Sequence, residues 1–143
     1  MNTDSNKQLI RTWIAEGWNK GNLGDVDALY TPDFVQHDPQ SPLPVNSAAA
    51  LKLYVGGFRM ALPDLTMSID DLIAEGDKVV WRFTGRGHQT GQFGPIPPTG
   101  REGVVTGTVT FRCAGGKIAE AWVNVDNLGM LQQLGVIPAP AAS

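Results

Sequence analysis

"LTMSIDDLIAEGDKVVWRFTGRGH", residues 65–88, is where the chain changes its period to two. Val79, Trp81 and Phe83 alternate with Val80, Arg82, Thr84, Arg86 and His88, so an extended strand has one apolar and one polar side. Glu75, Gly76 and Asp77 lie between two such runs and supply a tight turn, which predicts an antiparallel hairpin. The pattern repeats in "EGVVTGTVTFRCAGGKIAEAWVNVD", residues 102–126, with its turn at Ala114, Gly115 and Gly116. Four long antiparallel strands are therefore expected in the second half.

Upstream the spacing is helical. Leu9, Ile10, Trp13, Ile14 and Trp18 recur three and four apart between Asn6 and Lys20, giving one apolar stripe, and Gly21 and Asn22 end it. A short helix over roughly Leu23 to Tyr30 stops at Thr31 and Pro32, because proline disfavours helical geometry in the residue before it. "TPDFVQHDP" follows as an extended, turn-bounded piece. Asn46 and Ser47 can each cap a helix over Ala48–Ala61 that carries Leu51, Tyr54, Val55 and Phe58 as its stripe, and Pro63 closes it. Gly56 and Gly57 each lower helix propensity by about 1 kcal/mol, which suggests close packing or a bend there. A last amphipathic helix, Leu128 to Leu134, ends at Gly135. Helices followed by antiparallel strands describe an α+β domain with helices on one face of a curved sheet.

The 143 residues suit one domain that buries roughly two-thirds of its unfolded surface, with its packed part near 6–135 and a Pro/Ala tail at 136–143 expected to fray. A formal charge of −3 without any run of lysine and arginine removes the footprint of a nucleic-acid binder. The first residues lack the order of a signal peptide and no stretch approaches 18 apolar residues, so a cytoplasmic protein without a membrane span is expected. Cys113 is the only cysteine; at the end of a strand pattern it reads as a buried, inert thiol. Neither HExxH nor a tight His/Asp spacing occurs, and GxGxxG, Walker-type and GxSxG motifs are missing, which leaves metal, nucleotide and serine-hydrolase chemistry without support.

The chemistry-bearing candidates are few. In residues 119–126 Ala119, Ala121, Val123 and Val125 form a small apolar face, whereas Trp122, Asn124 and Asp126 form a mixed one, the composition of a ligand pocket. A carboxylate set in an apolar wall becomes a proton acceptor fit for work near neutral pH. Asp126 has a second reading, since it lies two residues before Leu128 and an acid there caps the last helix. His37 and His88 lie in turn-rich stretches able to reach a cavity mouth, each with a plain structural reading beside it. The polar side of residues 80–88, Arg82 included, is either wet or pocket-facing, and glycines 85 and 87 admit a bulge that would turn His88 over.

Taken in order, "GNLGDVDALYTPDFVQHDP", "ALPDLTMSIDDLIAEGDKVVWRFTGRGHQTGQFGPIPPTGRE" and "GGKIAEAWVNVDNLGMLQQLG" resemble the SnoaL-like polyketide cyclases, or ester cyclases, of the nuclear transport factor 2-like superfamily. The resemblance runs from about Asn6 to Gly135. It implies a cone-like α+β barrel around an apolar pocket, no cofactor, and an aspartate at position 126 as acid/base of an intramolecular aldol closure. His88, with His37 and Asn124 behind it, is the expected partner of the developing enolate oxygen. Trp122, Arg82, Phe58, Tyr54, Trp18 and Trp13 are the expected wall. The expected partner is a small apolar carbonyl compound. A homodimer or higher oligomer is also expected, formed through Val79, Trp81 and Phe83 or through the valines of "GVVTGTVTF". A water-activating epoxide or ester hydrolase and a non-catalytic binding module are the alternatives.

Overall fold

Both hairpins form where the turn residues put them. In the computed structural model, which describes residues 2–41 and 43–138, β3 (Asp71–Glu75) turns into β4 (Lys78–His88), and β5 (Glu102–Ala114) turns into β6 (Lys117–Val125). Gly76 takes φ +60 in the first turn, a left-handed conformation that a side chain would strain. β4 and β5 pair antiparallel from Lys78 opposite Arg112 to His88 opposite Glu102, and β5 pairs antiparallel with β6. The part of the expected tail from residue 139 onward lies outside the described residues.

Two strands go beyond the expected four. The extended piece after Pro32 belongs to β1 (Tyr30–His37), which runs parallel to β6 at the sheet edge. Tyr30, Phe34 and Gln36 point inward there, and Pro32 sits exposed where the register slips between Tyr30 and Val35. Proline has no N–H to give a neighbour, so an edge strand is where it fits. A two-residue β2 (Thr66–Met67) pairs with the far end of β4, which splits the expected first hairpin strand in two. The sheet order is β1-β6-β5-β4-β2, with β3 also on β4.

The helices fill the concave side. Helix α1 (Thr3–Trp13) starts at Asn2, whose side chain accepts the Ser5 N–H at 2.7 Å. It continues as a π-helical turn over Ile14–Asn19, marked by Lys20 N–H donating to the Ala15 carbonyl five residues back. Gly17 explains the widening, because a Cβ there would stand 2.2 Å from the Trp13 ring. After a 3-10 turn at Leu23–Asp25 comes α2 (Val26–Leu29); α3 (Ala48–Ala61) is capped by Ser47, and α4 (Asn127–Gln133) follows β6. Among the described residues no helix is long and apolar enough to cross a membrane.

The core lies between α1, α3 and the inner face of the sheet. Trp81 is 1% exposed, packs at a tilt with its ring centroid 4.8 Å from that of Phe83 and donates its indole N–H to the Ser68 carbonyl at 3.0 Å. Burying an aromatic of this size is worth about 3 kcal/mol from area alone. Val79, Trp81 and Phe83 are thus core residues, and Val105 and Val109 share their side. This corrects the first expected dimer patch and Val105 and Val109 of the second, which face the chain's own core, whereas Val104 lies on the other side of β5 opposite Arg86.

Candidate active site

Between the helices and the sheet runs a narrow slot. Trp13, Trp18, Tyr54 and Phe58 line it from the helices, and Trp81, Phe83, Phe111, Val123 and Val125 line it from the strands. The space no atom fills is about 670 Å³ counting its open end, and about 50 Å³ of it admits the centre of a water molecule. Aromatic and aliphatic side chains make up nearly all of its lining. Gly85 and Gly103 keep the sheet side low, since a Cβ on Gly85 would meet the Met67 sulfur at 2.8 Å.

The slot contains one buried amide, Gln36, 9% exposed on β1. Its backbone N–H donates to the Val45 carbonyl at 2.7 Å, but its side-chain Nε2 has no partner among the described residues. A second buried glutamine shows what satisfaction looks like. Gln89, 0% exposed, donates to the Gly91 and Pro97 carbonyls and accepts from Thr99 N–H and Oγ1, so one amide ties the loop after β4 into a closed knot. An unpaired buried amide costs about 1–3 kcal/mol; of the five buried side-chain atoms without a partner among the described residues, only Gln36 Nε2 belongs to a residue that lines the slot.

Tyr54 and Phe58 border both the slot and a wider mouth with room for water over about 510 Å³. Phe93, from the knotted loop, packs 5.4 Å from Phe58 at this entrance. The Tyr54 hydroxyl donates to Asp38 Oδ2 at 2.8 Å, and Asp38 Oδ1 accepts the Gln40 N–H at 3.0 Å. Burial, then the Asp38 charge and hydrogen bond, push ionisation of the Tyr54 hydroxyl far up, so it stays a donor. A neighbouring recess of about 410 Å³ is bordered by Asp38, Asn124 and Asp126.

Several residues expected at the site face away from it. His88 and Arg82 lie on the outward side of β4, opposite in direction to Trp81 and Phe83. His88 Nδ1 donates to Asp64 Oδ2 and its backbone N–H to Oδ1, both at 2.7 Å, and Arg82 Nε donates to Asp71 Oδ2 at 2.6 Å. The hydrogen bond and charge of Asp64 raise the His88 pKa, and the same contact lowers that of Asp64. Trp122 and Asn124 are outward on β6, while the small face of Ala121, Val123 and Val125 turns inward. This reverses the expected wall, because the concave side is too crowded for an indole at that register. His37 stacks on Trp122 at 5.6 Å and donates to Glu120 at 2.7 Å, outside the slot. Glu120 also accepts from Arg112, and the two hydrogen bonds hold its carboxyl below the usual range.

Asp126 is the N-cap of α4. Its Oδ1 accepts the Gly129 N–H at 2.9 Å and the residue is exposed at the rim, not within the slot. Among the described residues no three His, Cys, Asp or Glu side chains gather as a metal site requires. Burial pushes the Cys113 thiol up to about 11, as for an inert core cysteine.

The sequence profile of the SnoaL-like polyketide cyclases matches residues 8–134. The chain belongs to this family. A search among curated proteins found none similar in sequence. Solved structures extend the family likeness. AclR of Streptomyces galilaeus, a proposed hydroxylase, is 28% identical with a TM-score of 0.85, covering 98% of this chain and 87% of its own. IdmH of Streptomyces antibioticus, a proposed polyketide cyclase, is 31% identical with a TM-score of 0.78 over 92% of this chain and 99% of its own. A Catenulispora acidiphila protein with a ketosteroid isomerase-like fold shares the architecture, at 17% identity and a TM-score of 0.76 over 91% of this chain and 94% of its own.

In this SnoaL-like chain Trp13, Trp18, Tyr54 and Phe58 line one slot, with Gln36 beside them and Asp38 at its mouth, two residues the sequence did not single out. Their signal lay in "FVQHD": Phe34 and Gln36 alternate with Val35 and His37, so a strand reading would have put a glutamine beside a buried phenylalanine on one face.

Proposed function

We propose that this SnoaL-like protein is a cofactor-independent acid/base enzyme that closes a ring within a small, flat, apolar carbonyl or ester compound, by intramolecular aldol addition or a related proton transfer. The observation that carries this reading is Gln36, an amide donor left unpaired inside an aromatic slot. A carbon acid between two carbonyls is already acidic, so a ring closure asks for little: a base, a donor to the enolate oxygen, and walls that hold the chain folded for attack. Gln36 suits the donor role. The rim carboxylates Asp126, favoured by the family resemblance, and Asp38 border one recess and suit the base. The family of polyketide cyclases and the likeness to IdmH support the same class.

An aryl β-keto ester carrying a second carbonyl tests this. Ring closure gives an isomer of the substrate's own mass, with one carbonyl replaced by a hydroxyl. Release of the free acid and alcohol, together heavier than the ester by one water, supports a hydrolase instead, and quenching of tryptophan fluorescence without any product supports a binding module.

A homodimer through the outer sheet face belongs to the same proposal. Ile73, Val80, Thr110 and Trp122 lie side by side across four strands there. Sedimentation as a monomer at micromolar concentration would remove it.

A further inference from the structure

We propose that Asp38, positioned by Tyr54, is the carboxylate that accepts the substrate proton at the mouth of the slot. The inference rests on the ring-closing reading above and assigns its base. Among the described residues lining the slot, Tyr54 is the only one whose side chain can ionise, and its hydroxyl donates directly to Asp38. The buried phenol stays protonated and so cannot take up a proton itself, which leaves the carboxylate behind it.

Three further observations favour Asp38 over Asp126. Asp38 is half-buried and borders both recesses of the mouth, whereas Asp126 is exposed and borders one. The Asp126 carboxylate is spent on its helix cap, so moving it would uncover the Gly129 N–H. Asp38 stands two residues beyond Gln36, just past the end of β1, so one short stretch of chain carries an amide that lines the slot and a carboxylate that lines its mouth. Each Asp38 oxygen accepts one hydrogen bond, from Gln40 N–H or from Tyr54, which fixes the plane of the group and leaves a lone pair on each.

The step balances without any co-reactant. Asp38 takes the proton from the carbon between two carbonyls, and the C–H electron pair becomes the enolate, whose oxygen receives the Gln36 N–H. The enolate carbon bonds to a second carbonyl carbon of the same molecule. That carbonyl's electron pair becomes an alkoxide, which recovers the proton from Asp38.

The probe is 5-nitrobenzisoxazole, a flat apolar compound that opens when a base removes its ring C–H proton: the C–H electron pair completes a nitrile, the N–O bond breaks and the same molecule becomes a coloured phenolate. The wild-type protein is expected to open it with saturation, and Asp38→Asn to lower kcat by about 100-fold or more, the usual worth of a general base. Tyr54→Phe, which keeps the ring in the wall, is expected to lower kcat by about 3- to 10-fold with KM unchanged, since it removes one hydrogen bond to the base. Asp38→Glu, a carboxylate displaced by one methylene, keeps the test open if Asp38→Asn fails to fold; it should bind equally and turn over slowly. Asp64→Asn, on the outer face, serves as the unchanged control. Turnover lost in Asp126→Asn but kept in Asp38→Asn overturns the assignment, as does a wild-type rate no better than free acetate at equal concentration. Quenching of tryptophan fluorescence by the probe separates the two failures: quenching with turnover indifferent to Asp38 sinks only the base, and no quenching sinks the slot as a ligand site.

Discussion

The two faces of the sheet formed by β4, β5 and β6 share one backbone and differ in everything else. The inner face carries Val79, Trp81, Phe83, Phe111 and Val123, all uncharged. The outer face carries Arg82 with Asp71, His88 with Asp64, and the chain Arg112–Glu120–His37. Burial penalises a charge far more than an amide, so titratable side chains accumulate where water can reach them. A search that starts from acids and histidines is therefore drawn to the wrong face. What points the proposed site to the inner face is the opposite kind of signal: Gln36 Nε2, a polar atom among the slot's lining that has no partner among the described residues.

Four measurements bear on that contrast. Replacing Trp81 with alanine is expected to cost about 3–5 kcal/mol in urea unfolding, because it empties the core and frees the Ser68 carbonyl. Trp122→Ala on the outer face should stay within about 1 kcal/mol; equal losses would erase the distinction between the faces. Next comes Gln36→Leu, which fills the same space without the unpaired amide. It should raise stability by about 1 kcal/mol while weakening the capture of an aryl β-keto ester, and a loss of stability would mean that Gln36 is already satisfied. At the rim, Asp126→Ala should cost about 1 kcal/mol through the lost cap, whereas Asp126→Asn, an equally good cap, should unfold like the parent.

The smallest effect belongs to the exposed pair of His88 and Asp64. The raised His88 pKa contributes stability that is complete below about 6.5 and fades as pH rises through the folded value. The lowered Asp64 pKa contributes stability that is present above about 3.9 and fades as pH falls through its own folded value. A melting-temperature difference between the parent and His88→Ala should therefore be greatest between those limits and shrink on either side. A difference that grows toward alkaline pH would contradict the ion pair.

Local chemistry explains which parts could be read from the chain. The hairpins rest on turns such as Glu75-Gly76-Asp77, and α3 on the Ser47 cap, features set within a few residues. The family, too, was legible, because its motifs run through the same segments. Direction was not. Alternation in β6 separates Trp122 from Val123 but does not say which one faces in; that depends on the space left by Trp13 and Phe111, placed by elements far away in sequence. β1 was hidden for a similar reason, since Pro32 breaks its pattern and its partner β6 lies about eighty residues downstream, as with Val35 opposite Glu120. Missing that strand meant missing Gln36 and Asp38 together.

The knot tied by Gln89 has a consequence for how this architecture can diversify. All four of its side-chain hydrogen bonds close on residues 91–99, so the loop carries its own foundation and meets α3 through Gly91 N–H to the Ala61 carbonyl and through Phe93 against Phe58. The stretch from Gln92 to Ile96, with Phe93 at the doorway, hangs between those anchors like an interchangeable key bit. Mutation can recut its teeth, and so change what is admitted, while lock and barrel stay as they are.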